Sequence, residues 1–218
     1  ALLLSAVDAG MIAREGAFIA AARKAGTRHV VRFSMMGVDV KSPLALGRWH
    51  GECEQLLIAS GLAWTLVRPN AFFQNMLWDA GRIRSSGQFF NMVDGGRVSM
   101  IDVRDIAAVL VQILTQGGHD GATYQLTGPE ALSYADVARH LAEATGKPVR
   151  YVPISDEQQR EAMLAGGMPA AVVDAAVELN GAMEAGYFAE VTGEVEKVTG
   201  QARRTFAAWA RENADAFR

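Results

Sequence analysis

Two apolar rhythms alternate along the first part of the chain. Ala1 to Val7, "ALLLSAV", is a short unbroken apolar run, as expected for a strand covered on both faces. Residues 11–25, "MIAREGAFIAAARKA", repeat apolar positions at helical spacing, and Gly26 is placed to end that helix. "HVVRFSMMG" is a second buried-type strand with its core at 29–34. Pro43 marks a loop, and residues 44–60 read as a helix ending at Gly61. "AWTLVRP" is a third strand, stopped by Pro69. Strand, helix, strand, helix, strand at this spacing predicts a parallel sheet with helices on both faces.

The pattern then loosens. Residues 71–86 look helical, and "GQFFNMVDGG" reads as loop with a short strand. "RVSMIDVRD" leads into a helix over 104–116, capped by Asp102 or Asp105. "ATYQLTG" is a further strand. Ser133 caps the helix in "SYADVARHLAEATG", with Asp136 at the capping-box position. "PVRYVPIS" is another strand, and from about 156 onward the chain is helix and loop. The expected division is an α/β unit over 1–155, with less regular stretches near 75–100 and 122–155. A helical region over 156–218 follows.

Composition narrows the classes. A chain of 218 residues, half hydrophobic and 21% charged, has the balance of a soluble globular protein. A net charge of −3 gives no electrostatic reason to expect nucleic acid as a partner. A single cysteine forms no internal disulfide, which suits a reducing, cytoplasmic setting. No apolar run approaches a membrane span, and "ALLLSAV" is too short for a signal-peptide core. The chain opens without methionine inside a strand-like run, which points to residues upstream.

The densest chemistry is "RWHGECE", residues 48–54, with a histidine, the cysteine and two carboxylates in five positions. On one helix, His50 and Glu54 share a face while Glu52 and Cys53 point elsewhere. A metal would need ligands from other segments, and the second half of a zinc-deaminase signature, P-C-x-x-C, is absent, so no metal is expected. Cys53 beside "LLIA" reads as a small core residue rather than a nucleophile. There is no G-x-G-x-x-G, no P-loop and no G-x-S-x-G elbow.

Four segments in order carry a resemblance: "AARKAGTRHVVRFSMMGVD", "RWHGECEQLLIASGLAWTLVRPNAFFQNM", "VSMIDVRDIAAVLVQIL" and "YQLTGPEALSYADVARHLAEATGKPVRYV". Together they resemble the NmrA-like family of atypical short-chain dehydrogenases, closest to its quinone- and azo-reductase branch. The resemblance implies that 1–155 is a partial Rossmann-like NAD(P)-binding unit with substrate-side insertions near 75–100 and 122–155, that 156–218 is a helical substrate-side region, and that the cofactor is NADP(H) or NAD(H). It implies a small-molecule substrate, aromatic or quinone-like, and is compatible with a homodimer. Family members begin with a glycine-rich turn that holds the pyrophosphate at a helix N-terminus. The resemblance places that turn upstream of Ala1, so these 218 residues alone are expected to turn over little.

Short-chain dehydrogenases with their own acid chemistry carry Y-x-x-x-K on the helix that matches residues 44–60. Leu46 falls near the tyrosine position and His50 near the lysine position, so the usual proton donor is missing. His50 then either hydrogen-bonds a ribose or substrate carbonyl, or is a helix-surface histidine paired with Glu54. Ligands in such folds gather at the carboxyl ends of the strands. By that position the expected cofactor contacts are Leu4, Ser5, Ala6, Phe33, Ser34, Met35, His50, Pro69, Asn70, Ala71 and Phe72. The expected substrate contacts are Phe72, Phe73, Gln74 and Tyr187, while Asp102, Arg104 and Asp105 are expected to cap and pair locally. The implied function is an NAD(P)H-dependent reductase, or alternatively a non-catalytic NAD(P) sensor acting on a protein partner.

Overall fold

The computed structural model describes residues 1–218. Strand β1 (Leu2–Leu3) leads to helix α1 (Met11–Lys24), β2 (His29–Phe33), α2 (Ala45–Ile58) and β3 (Ala63–Pro69). A 3₁₀ turn (Phe73–Asp79) runs into α3 (Ala80–Ser86) and β4 (Gln88–Asn91). Then come α4 (Val103–Thr115), β5 (Ala122–Leu126), α5 (Tyr134–Thr145) and β6 (Arg150–Pro153). The chain closes with α6 (Asp156–Ala165), α7 (Ala170–Glu184), α8 (Glu194–Thr199), α9 (Phe206–Glu212) and α10 (Ala214–Phe217).

β1, β2, β3 and β5 form one parallel sheet in that order, and β4 and β6 form a separate parallel pair. The first strand is shorter than the apolar run predicted. Only Leu2 and Leu3 find partners, opposite Val31 and Arg32 of β2, and past them the backbone has no ladder to join. Leu4 is 63% exposed. The stretch expected to be helical at 71 onward starts as a 3₁₀ turn at Phe73 and becomes α-helix only at Ala80.

Side chains alternate across the sheet. Leu3, Val30 and Leu66 face α1 and α2 and pack on Ile19, Ala22 and Leu57. Val31, Val67 and Leu126 face the other way, onto Ile106, Val109 and Ile113 of α4 and Val195 of α8. Helices thus cover both faces. A third core joins the 3₁₀ turn, α3, β4, α5, α9 and α10, with Phe73, Phe206, Trp209 and Phe217 at its centre.

The helix starts follow the expected capping chemistry. Asp102 accepts a hydrogen bond from the Arg104 amide and opens α4. Ser133 and Asp136 form a reciprocal capping box at α5. On α2, Gly51 lets the loop at Val40 approach closely. A Cβ there would sit 2.7 Å from the Val40 amide nitrogen.

Candidate functional site

A cavity of about 370 Å³ opens at the carboxyl ends of β1, β2 and β3, at the small end of the roughly 300–1,000 Å³ typical of ligand pockets. Its walls are mainly apolar. Phe33 and Phe72 meet edge to face there, with ring centroids 6.3 Å apart. Ten of the eleven positions expected to touch cofactor line it, from Leu4 and Ser5 to Ala71 and Phe72. Ala6 does not. It is exposed, its carbonyl accepts from Arg14 Nη2 at 2.7 Å, and Val7 takes the wall position instead.

The polar floor is built from three successive strand ends. After β1, the Ser5 hydroxyl donates to Glu15 of α1 at 2.8 Å. Arg32 of β2 donates to the same carboxylate from Nε and Nη2, at 2.7 and 3.2 Å. The next unit repeats the arrangement. After β2, the Ser34 hydroxyl donates to Glu54 of α2 at 2.6 Å, and Arg68 of β3 grips that carboxylate through Nε and Nη2. Arg32 and Arg68 point to the same side of the sheet because each lies an even number of residues from Val30 or Leu66 on its own strand. Buried charges need such partners. Arg32 is 0% exposed and Glu15 2%.

Because an ionised carboxylate only accepts, both serine protons are committed to glutamates. Ser5 and Ser34 therefore present only lone pairs to the cavity. His50 is buried on the inner face of α2 and lines the same cavity. Its Nδ1 lies 3.3 Å from Arg32 Nη2. Burial, and then the Arg32 charge, lower its pKa to about 3, so the ring is neutral around pH 7. This corrects the expected alternative of a surface histidine paired with Glu54, which is instead committed to Ser34 and Arg68.

Four further expectations change. Asn70 lines the cavity, but its amide is engaged: Nδ2 donates to Ser99 Oγ at 2.8 Å and the Phe188 carbonyl at 2.9 Å, and Oδ1 accepts from the Ala71 amide. Phe73 is buried in the third core against Phe206, since neighbouring residues at the start of the 3₁₀ turn face opposite ways. Gln74 bridges Asp102 and the Val103 amide, helping to cap α4, and does not line the cavity. Tyr187 is 76% exposed and the next residue, Phe188, forms the wall in its place. Leu46, near the position of the missing tyrosine, also lines the cavity.

Cys53 is fully buried beside Arg32 and Glu15. Burial, reinforced by the Glu15 charge, raises its thiol to about 11, so it is no nucleophile. Arg104 pairs with Asp102 at 2.6 Å, and Asp105 with Arg204, so these charges serve the fold. No cluster of three or more His, Cys, Asp or Glu side chains is placed to hold a metal ion. No helix is long and apolar enough to cross a membrane.

Sequence reading missed Val7, Met36, Asn75, Leu179, Met183 and Phe188 in the wall and Glu15, Arg32 and Arg68 behind the floor. The signal for the last group was present: an arginine inside "HVVRF" and another inside "AWTLVRP" require buried acids opposite them.

A sequence model described as NAD(P)H-binding matches residues 5–117. An NAD(P)H azoreductase of Xenophilus azovorans is 48% identical over 201 residues, covering 92% of this chain and 70% of that protein. The NADPH-dependent quinone oxidoreductase QOR2 of Escherichia coli, solved with NADPH, superposes with a TM-score of 0.87 at 26% identity, over 97% of this chain and 75% of that one. NmrA, a negative transcriptional regulator solved with NAD, shares the fold with a TM-score of 0.71 at 20% identity, over 94% and 70% of the two chains. A nucleotide-fold sheet, a cavity at its carboxyl edge and a sequence-model match over half the chain together establish that the chain belongs to the NAD(P)H-binding family, with an NmrA-like Rossmann fold.

Proposed function

We propose that the protein is an NAD(P)H-dependent reductase of aromatic acceptors of the quinone or azo type. The observation that carries this reading is the cavity itself: an aromatic, largely apolar chamber whose floor offers a few oriented polar groups, at the carboxyl ends of the strands, where folds of this type gather their ligands. The likeness to an azoreductase at 48% identity supports the same acceptor class.

The side chains fit the nicotinamide end of the cofactor. Phe33, Met35, Pro69 and Phe72 provide flat or apolar surface. Ser5 and Ser34 accept hydrogen bonds from hydroxyl or amide protons, and His50 faces the same space. When bound, the reduced nicotinamide supplies a hydride, leaving oxidised cofactor and an acceptor that takes its remaining proton from water. The chain's own contribution is orientation and exclusion of water. Phe72 and Phe33 hold an aromatic acceptor flat, while Leu179, Met183 and Phe188 close the far side from the helical region 156–218. Leu46 where a tyrosine acid would stand agrees with a reaction whose product anion needs no acid from the protein.

The test is turnover by the protein expressed from the whole reading frame that contains these residues. NADH or NADPH is mixed with a benzoquinone or an azo dye, and loss of reduced-cofactor absorbance is followed. Acceptor-dependent oxidation is expected. Tight cofactor binding with no oxidation by either acceptor class would overturn the reading in favour of a sensor.

A further inference from the structure

We propose that His50 is held as a neutral imidazole with its proton on Nε2, and serves the cavity as a fixed hydrogen-bond donor to an acceptor oxygen or nitrogen of the bound small molecule. It does not supply protons. The inference deepens the reductase reading and rests on it only for the identity of that acceptor.

The tautomer follows from the partner. A guanidinium has five N–H donors and no acceptor, and it stays protonated in proteins. Arg32 Nη2 lies 3.3 Å from His50 Nδ1, so the contact is a hydrogen bond only when Nδ1 carries no proton. The neutral ring must then carry its proton on Nε2. Arg32 cannot turn away to relax the constraint. It sits inside the sheet on β2, 0% exposed, with Nε and Nη2 both donating to Glu15 of α1.

The other side of the ring is open. His50 Nε2 makes no hydrogen bond within the protein, yet it is not among the buried polar atoms sealed without a partner. The histidine lines the cavity, so that nitrogen is reachable from it. The charged and titratable groups around the ring are Arg32 from β2, Glu15 behind it on α1, and Cys53 and Glu54 further along α2. Glu15 and Glu54 are each committed to an arginine and a serine. The positive neighbour and the burial both oppose a second proton on the ring.

The consequence concerns recognition. With the Ser5 and Ser34 protons committed to carboxylates, those hydroxyls accept. His50 Nε2–H is then a donor that the cavity offers an electron-rich atom. A quinone carbonyl oxygen or an azo nitrogen is such an atom, and it gains negative charge on reduction. A donor already fixed in place stabilises that charge without reorganising. Arg32 and Glu15 act through His50 as positioning residues.

The test reads the ring directly. Two-bond proton–nitrogen correlation spectra are recorded on the full chain with ¹⁵N-labelled histidine from pH 5 to 8. The signals of His50, one of four histidines, are identified by their loss in His50→Gln. A pyridine-like Nδ1 and a pyrrole-like Nε2, both unchanged across the range, are expected. An Nδ1–H pattern, or conversion to imidazolium with a midpoint near ~6.5, overturns the proposal. In the double variant Glu15→Met with Arg32→Met, mixed tautomers are expected. If that variant does not fold, the wild-type spectrum still decides.

In the whole-reading-frame protein, His50→Leu should lower kcat/KM for a quinone about tenfold, with His50→Gln, which keeps an N–H donor, within about threefold of wild type. Equal losses in both variants would assign the position to shape and sink the donor role. Absence of all quinone and azo turnover alongside the expected spectrum would remove the reductase reading and leave the locked tautomer standing.

Discussion

Ser34 Oγ lies 2.6 Å from Glu54 Oε1, and the carboxylate that accepts its hydrogen bond is pinned by an arginine from the following strand. The same relation joins Ser5, Glu15 and Arg32 one unit earlier. A hydroxyl at a strand end is aimed by an acid on the next helix, which is anchored by a base on the next strand. The two triplets differ in burial: Arg32 is wholly buried, while Arg68 keeps 24% of its side-chain surface exposed.

That difference sets an order of stability effects. Glu15→Gln leaves an uncompensated buried guanidinium and should cost about 3–5 kcal/mol. Glu54→Gln should cost about 2–3 kcal/mol, because water still reaches part of Arg68. Urea unfolding midpoints of the two variants check the order, and a larger loss for Glu54→Gln would contradict it.

Acid stability should carry the signature of His50. Its folded pKa is depressed to about 3 from an ordinary 6.5, so below pH 6.5 the unfolded chain binds a proton that the folded chain refuses. Stability from this group is complete above pH 6.5. It is lost as pH falls toward 3, with a slope of at most about 1.4 kcal/mol per pH unit. His50→Gln should flatten that part of the curve. Unfolding free energies at pH 7, 6, 5 and 4 for both proteins measure it.

Cys53 should be unreactive in the native state. Its thiol is fully buried and raised to about 11. A disulfide reagent at pH 8 should label well under a tenth of the folded protein in the time that denatured chain reacts fully. Rapid stoichiometric labelling without denaturant would show that the α2 face opens.

The adjacent phenylalanines should separate cleanly. Phe73→Ala removes a core ring packed on Phe206 and Trp209 and should cost about 3–5 kcal/mol. Phe72→Ala should cost less, and should weaken binding of an aromatic acceptor about tenfold. Thermal melts and acceptor titrations on the two variants give the comparison.

These pairs also show what the sequence could reveal. Periodicity placed α1, α2 and β3 within a residue or two, because each helix buries one regular face and the strand is an unbroken run buried on both. Strand-end logic named most of the cavity wall, because position along a strand is a local property. The choice between Phe72 and Phe73, or Tyr187 and Phe188, depends on which way a short irregular segment turns, and no local pattern fixes that. His50 and Glu54 share a helix face, as spacing required, yet they take different partners. Those partners are arginines that arrive from separate strands, and only the sheet register brings them there.

The repeated serine–glutamate–arginine arrangement also bears on how the molecule is finished. Each triplet draws on two consecutive strand–helix units, so neither serine is oriented until the following strand has docked. A partly folded chain therefore has no cavity floor to offer, and a ligand of this site binds only completed molecules. Such a ligand acts as a folding chaperone in the pharmacological sense: at a hundredfold excess over its Kd it adds about 2.7 kcal/mol to the native state, and it rescues destabilised variants far from the site as readily as those beside it.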